Sequence, residues 1–147
     1  MINGITEPNK VNFALASLLR CVIWSLTSNE DYKFKYTYKM EKKKMIDILQ
    51  FCAAQCAHCY DACHLEKEMD MSVCMMNDQD CADLCRLTAQ LLERNSDNVN
   101  IFLKVCMVMC ERCATECEKH PQMEACERCA KACRECAAMC HEHELAQ

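Results

Sequence analysis

The sequence predicts an all-α protein: an antiparallel up-down-up-down four-helix bundle built from a duplicated helical hairpin, with a cysteine-lined core. Three observations predict it. The 147 residues include one glycine (Gly4) and two prolines (Pro8, Pro121), so the turn punctuation that sheets require is almost absent. Cysteines recur at alternating spacings of three and four, the period of one face of a packed helix. The same pattern then recurs in the second half of the chain.

A chain of this length buries a single core. One glycine excludes a collagen, a glycine-rich phosphate loop and a Rossmann fold. The net charge of −5 speaks against a nucleic-acid-binding surface, which is normally basic. Seventeen cysteines would mark a disulfide scaffold in a short secreted chain, but their placement argues otherwise.

Composition divides the chain. Residues 1–39 hold six of the nine aromatics (Phe13, Trp24, Tyr32, Phe34, Tyr36, Tyr38), one cysteine (Cys21), and five basic against three acidic residues. Residues 40–147 carry sixteen cysteines, with twelve basic against nineteen acidic residues. The apolar run 11–26 is broken by Arg20. It is short for a membrane span and lacks the basic start and small-residue cleavage site of a secretory signal. We expect 1–39 to be an N-terminal extension, accessory or non-native, with a docking helix or a cryptic export signal as alternatives. The functional domain is then 40–147.

In the first helix, Met45, Leu49, Cys52, Cys56, Cys59 and Cys63 are spaced 4-3-4-3-4. The second carries Cys74, Cys81 and Cys85, with Asp78 at the intermediate position. In the third, Val99, Leu103, Cys106, Cys110, Cys113 and Cys117 repeat the spacing of the first. The fourth holds Cys126, Cys129, Cys133, Cys136 and Cys140, spaced 3-4-3-4. Breaks fall around 65–71, at Asn95-Ser96-Asp97-Asn98, where Asp97 or Asn98 suits an N-cap, and at His120-Pro121, proline suiting a first helical turn. An offset of 54 maps Cys52, Cys56, Cys59 and Cys63 onto Cys106, Cys110, Cys113 and Cys117. An offset of 55 maps Cys74, Asp78, Cys81 and Cys85 onto Cys129, Cys133, Cys136 and Cys140. One hairpin has been duplicated.

Folded antiparallel with flush ends, the four stripes stack in layers about 5 Å apart. The expected top layer is Cys63, Cys74, Cys117 and Cys129, with Cys126 above it. Cys59, Asp78, Cys113 and Cys133 follow, then Cys56, Cys81, Cys110 and Cys136, then Cys52, Cys85, Cys106 and Cys140. Beneath lies a mostly apolar plug of Leu49, Thr88 and Leu103 over Met45, Leu92 and Val99. The result is a thiol-filled tube closed at one end.

A free cysteine is ordinarily a small buried hydrophobe. That account fails for fifteen of sixteen layer positions, because leucine fills such space better. Disulfides fit poorly: cysteines three or four apart on a helix have Cβ atoms about 5–6 Å apart, a disulfide needs about 3.8 Å, and the cysteine total is odd. Zinc prefers closed tetrahedral sites on CxxC turns, and iron–sulfur motifs bind through loops; the spacing here is CxxxC on continuous helices. Soft thiolates select Cu(I). Sixteen buried thiolates would be untenable unless neutralised, and monovalent ions bridged by shared sulfurs neutralise them at roughly one ion per thiolate. We therefore expect several Cu(I) ions per chain, held by the sixteen cysteines of 40–147.

His64, Met69, Met71, Met75, Met76, His120 and Met123 fall at the open end. Imidazole and thioether are weaker copper ligands, suited to capture at an entrance, and His64 and His120 join the expected metal ligands; gap-filling methionines and surface histidines are the ordinary readings. His58, His141 and His143 read as surface residues, and Glu and Lys elsewhere on the helices as a solvated face. Asp78 reads as a lost ligand or a solvent-linked polar contact. Cys21 lies off the stripe.

These CxxxC pairs (Cys52/Cys56, Cys59/Cys63, Cys81/Cys85, Cys106/Cys110, Cys113/Cys117, Cys129/Cys133 and Cys136/Cys140) resemble those of the bacterial copper storage proteins, a four-helix-bundle copper-binding family. The resemblance covers about 45–143. It implies a bundle that packs Cu(I) along its interior, often as a homotetramer, and an exchange partner such as a copper chaperone or efflux system. Some members are exported and others cytosolic; this chain resembles the cytosolic kind. Asp78 and the 1–39 extension depart from the pattern. The expected role is a non-enzymatic Cu(I) store needing neither nucleic acid nor, for the bundle, a membrane. A thiol redox protein and a zinc or iron–sulfur module are the rivals. Anaerobic Cu(I) titration against a chelator separates them: many tight equivalents mark storage and few mark redox, while colour in the anaerobically purified protein marks an iron–sulfur cluster.

Overall fold

The structure is a computed structural model. It describes the backbone of residues 11–145 and the side chains of 30–144. Four helices follow in order: α1 (Val11–Leu65), α2 (Ser72–Glu93), α3 (Val99–Cys117) and α4 (Glu124–Leu145). Among the described residues there is no strand. The chain divides into two compact units, Met1–Met40 and Glu41–Gln147.

In the first unit the described side chains are exposed, Tyr32, Phe34, Tyr36 and Tyr38 among them, and the rings of Tyr32 and Tyr36 stack at 6.2 Å. The side chain of Cys21 and all of residues 1–10 lie outside the described residues. No described helix is long and apolar enough to cross a membrane.

The second unit is the bundle. Its inner stripes are cysteine, and the positions beside them are often alanine: Ala53, Ala82, Ala89, Ala114, Ala130 and Ala137 are buried in the same core. Small side chains on both sides of the seam let the helices approach closely. Alanine also has the highest helix propensity, so the residues that permit close packing also favour the helix. Polar contacts tie neighbouring helices at the rim. Lys42 Nζ donates to Asn95 Oδ1 at 2.7 Å, joining α1 to the end of α2. Arg134 donates to both carboxylate oxygens of Glu118 at 2.9 and 2.8 Å, joining α4 to the end of α3. Arg128 reaches His58 Nε2 on α1 at 2.8 Å. These exposed pairs orient more than they stabilise.

The turns show how a chain nearly without glycine stops its helices. After α2, Asn95 adopts φ 53°, the left-handed conformation usually left to glycine. The Ser96 amide then donates to the Leu91 carbonyl at 2.9 Å and the Asn95 amide to Leu92 at 3.1 Å, which satisfies carbonyls the helix end would orphan. Asn98 is the N-cap of α3, but its side chain makes no capping bond; Ser96 Oγ instead accepts from the Asn98 amide at 3.3 Å. Pro121 is not in the first turn of α4, which begins at Glu124. The Met123 amide donates to the His120 carbonyl at 3.0 Å, placing Pro121 second in a tight turn, where its fixed φ is preferred.

Substitution Asn95→Ala should destabilise the metal-free chain by about 1–2 kcal/mol, the cost of a left-handed residue with a Cβ and no polar side chain. Asn95→Gly should be milder, losing only the Lys42 bond. Urea unfolding under reducing conditions measures both.

Candidate metal centre

All sixteen cysteines of the bundle are buried and free of disulfides. None is more than 2% exposed. The four inward stripes produce this directly, since a 3-4 spacing keeps every sulfur on the bundle axis.

The layers are not flush. α2 and α3 pair as expected, with Cys81 beside Cys110 at 3.6 Å and Cys85 beside Cys106 at 3.5 Å. The other two helices are displaced by about one step. Cys126 is a full member of the top group, 3.6 Å from Cys59, rather than sitting above it. Cys56 meets Cys129 at 3.6 Å and Cys133 at 3.5 Å, not Cys136. Cys52 meets Cys133 at 3.7 Å, not Cys140. The stagger corrects the layer assignment made from sequence. Its reason is interdigitation: a side chain on one helix seats between residues of its neighbour rather than opposite one.

Sulfurs consequently form overlapping groups. Cys59, Cys74, Cys117 and Cys126 converge near the mouth, and Cys56, Cys113, Cys129 and Cys133 below them. Then come Cys52, Cys56, Cys81 and Cys133, followed by Cys52, Cys81, Cys85 and Cys110, and then Cys85, Cys106, Cys110 and Cys136. Within each group the candidate ligand atoms lie within 4.8 Å of one another. At a metal–thiolate bond of about 2.3 Å, sulfurs sharing one ion sit roughly 4 Å apart. Several cysteines, Cys56, Cys110 and Cys133 among them, belong to two groups. Isolated zinc sites have no need of such sharing, whereas ions of low coordination bridged by common sulfurs do.

Asp78 lies within this channel and is fully buried. Its Oδ1 accepts from Cys113 at 3.2 Å and Cys129 at 3.3 Å, and its Oδ2 from Cys74 at 3.8 Å. The solvent-linked reading is thus excluded: thiols surround the carboxyl. Burial, with repulsion from Cys129 added, pushes its pKa up to about 8.

The thiols hold their protons unequally. Cys85 is pushed above the ordinary thiol range by its hydrogen bonds with Cys106, Cys110, Cys136 and Cys52 and by burial. Cys63 is pushed up by burial and by Cys74 and Cys126. Cys81, accepting from Cys110, Cys113, Cys133 and Cys52, is pushed down. A metal-free channel therefore keeps much of its proton content, and loading it with metal releases those protons.

At the mouth, Met71 is buried, and Met69, Met75 and Met123 pack against the core. Met76 does not join them and is 58% exposed. His64 is exposed, its ring stacked on Tyr60 at 6.4 Å. His120 is half-buried, with Nε2 3.6 Å from Glu116 Oε1. At the other end Leu49, Thr88 and Leu103 are buried as the expected plug, and the Thr88 hydroxyl donates to the Leu84 carbonyl at 2.7 Å.

A family model described as copper storage protein matches residues 38–145. The chain belongs to the copper storage protein family. A Cu(I)-bound copper storage protein, BsCsp3, superposes with a TM-score of 0.67 at 32% identity, covering 69% of this chain and 96% of that one. A cytosolic copper storage protein from Streptomyces lividans, solved during copper loading with five coppers, gives a TM-score of 0.67 at 36% identity, over 70% of this chain and 91% of that one. The S. lividans protein loaded with 10 copper equivalents matches equally well, over 70% of this chain and 83% of that one. Among curated proteins, an uncharacterised cysteine-rich protein of Bacillus subtilis, YhjQ, is 37% identical over 91 residues, 60% of this chain and 82% of its own length.

Asp78 makes the metal-free fold sensitive to pH in a defined direction. Its pKa is raised on folding, so its contribution to stability is complete below pH 3.8 and is lost as pH rises through about 8. The metal-free Asp78→Asn chain should therefore gain stability relative to the parent between pH 4 and 9. Anaerobic urea unfolding at both pH values measures the difference.

Proposed function

We propose that this chain stores Cu(I) in the cytosol, without catalysis, as a chain of ions bridged by the thiolates of Cys52, Cys56, Cys59, Cys63, Cys74, Cys81, Cys85, Cys106, Cys110, Cys113, Cys117, Cys126, Cys129, Cys133, Cys136 and Cys140. The observation that carries the proposal is the sharing of single sulfurs between adjacent four-thiol groups along one buried channel. Charge supports the choice of ion. Divalent ions at closed tetrahedral sites would use about four thiolates each, leaving each site at −2 in a medium that tolerates no unpaired charge. A monovalent ion bound between bridging thiolates brings the channel close to neutrality.

His64 and His120 act at the mouth as capture ligands, with the thioethers of Met69, Met71, Met75 and Met123 behind them. The cytosolic assignment draws on the description of the S. lividans relative. Assembly as a homotetramer and copper exchange with a chaperone or efflux system complete the reading, and residues 1–39 are accessory to it.

Anaerobic titration should load on the order of ten or more Cu(I) per chain, at roughly one ion per bridging thiolate. A chain beginning at Met40 should bind the same number, because its thiols are all retained. Replacing Cys110 and Cys133, each shared by two groups, with serine should remove several ions while leaving helical content unchanged. Loss of only a single ion would mean isolated sites and would sink the bridged-channel reading. Metal content and circular dichroism of the variants report both quantities.

A further inference from the structure

On α4, Cys140 follows Cys136, a member of the four-sulfur group with Cys85, Cys106 and Cys110, by four residues. There it is buried in the same core as Cys106 and Cys136, whose neighbouring thiols push its own up, so it continues the channel rather than standing apart. It also borders a 220 Å³ cleft shared with Leu103 of the plug and with His143. Cys140, only 2% exposed, thus forms part of the buried floor of a cleft beside the plug, between α3 and α4. The Lys104–Glu144 ion pair, 3.0 Å long, ties the two helices together there.

His143 follows Cys140 by three residues on α4, so the two side chains share a face. His143 also lines a 360 Å³ groove that includes Met45 and Met139. His143 thus stands between the cleft that Cys140 lines and a groove that holds two thioethers. A surface histidine alone would explain His143. It would not explain a channel thiol lining the same cleft.

We infer that this cleft is a second copper portal, in which Cys140 and His143 ligate Cu(I) in transit between the thiol channel and solvent. The inference rests on the storage reading above. Transfer is ligand exchange with no change of oxidation state. A Cu–S bond to Cys106 or Cys136 breaks as bonds to the Cys140 sulfur and a His143 nitrogen form. A low-molecular-weight thiol from solvent then binds the ion as thiolate while the bonds to Cys140 and His143 break, and the proton of that thiol passes to the protein thiolate left without metal.

The test follows copper release from the anaerobically loaded full-length chain to excess bathocuproine disulfonate with glutathione present, expressed per bound ion. His143→Ala should slow release through this end about tenfold, the scale of losing a metal-site partner, and His143→Met, which restores a soft donor, should recover most of the rate. Combined with His120→Ala, His143→Ala should be slower than either change alone, as two parallel routes require. A double variant no slower than His120→Ala, or no recovery when methionine replaces alanine at 143 in that background, would overturn the portal while copper content upholds storage. A parent chain that binds only one or two ions would overturn both.

Discussion

Everything in the bundle follows from confining sixteen thiols to one dry channel. Thiols fill space less well than leucine, and they cannot all ionise in a low-dielectric interior without compensating charge. A core of this composition is therefore a poor hydrophobic core and a good ligand set. Its sulfurs are 3.5 to 4.0 Å apart across helices, too far for covalent pairs and close enough to share ions. Metal supplies both the missing charge and the missing contacts, which ties loading to the stability of the fold.

Asp78 shows how finely that channel is balanced. A carboxylate among thiols would ordinarily be a costly burial. Here its oxygens collect hydrogen bonds from Cys113, Cys129 and Cys74, and its raised pKa keeps it largely protonated near neutrality. The group belongs to the same shared-proton system as the thiols. Its position breaks the duplication, since the matching residue in the second half is Cys133.

The two ends of the channel differ in access. The mouth gathers Met69, Met71, Met75 and Met123 against the core, with His120 half-buried beside Glu116. The far end is plugged on its axis by Leu49, Thr88 and Leu103, yet Cys140 reaches a cleft at its side. That geometry arises from one feature: α4 sits about one step lower than flush packing would place it.

The fold class, the four segments, the inward stripes and the plug were legible in the sequence because each depends on periodicity along one helix, and periodicity is local. The duplication was legible for the same reason. What the sequence could not determine was anything set between helices. The stagger of α1 and α4, the partners of Cys52, Cys56 and Cys126, and the approach of Cys140 to the cleft depend on how side chains of one helix seat in the grooves of another. The environment of Asp78 and the exposure of Met76 were equally beyond it. Sequence spacing specifies which face a residue occupies, whereas its height relative to a neighbouring helix is decided only when the two surfaces interlock.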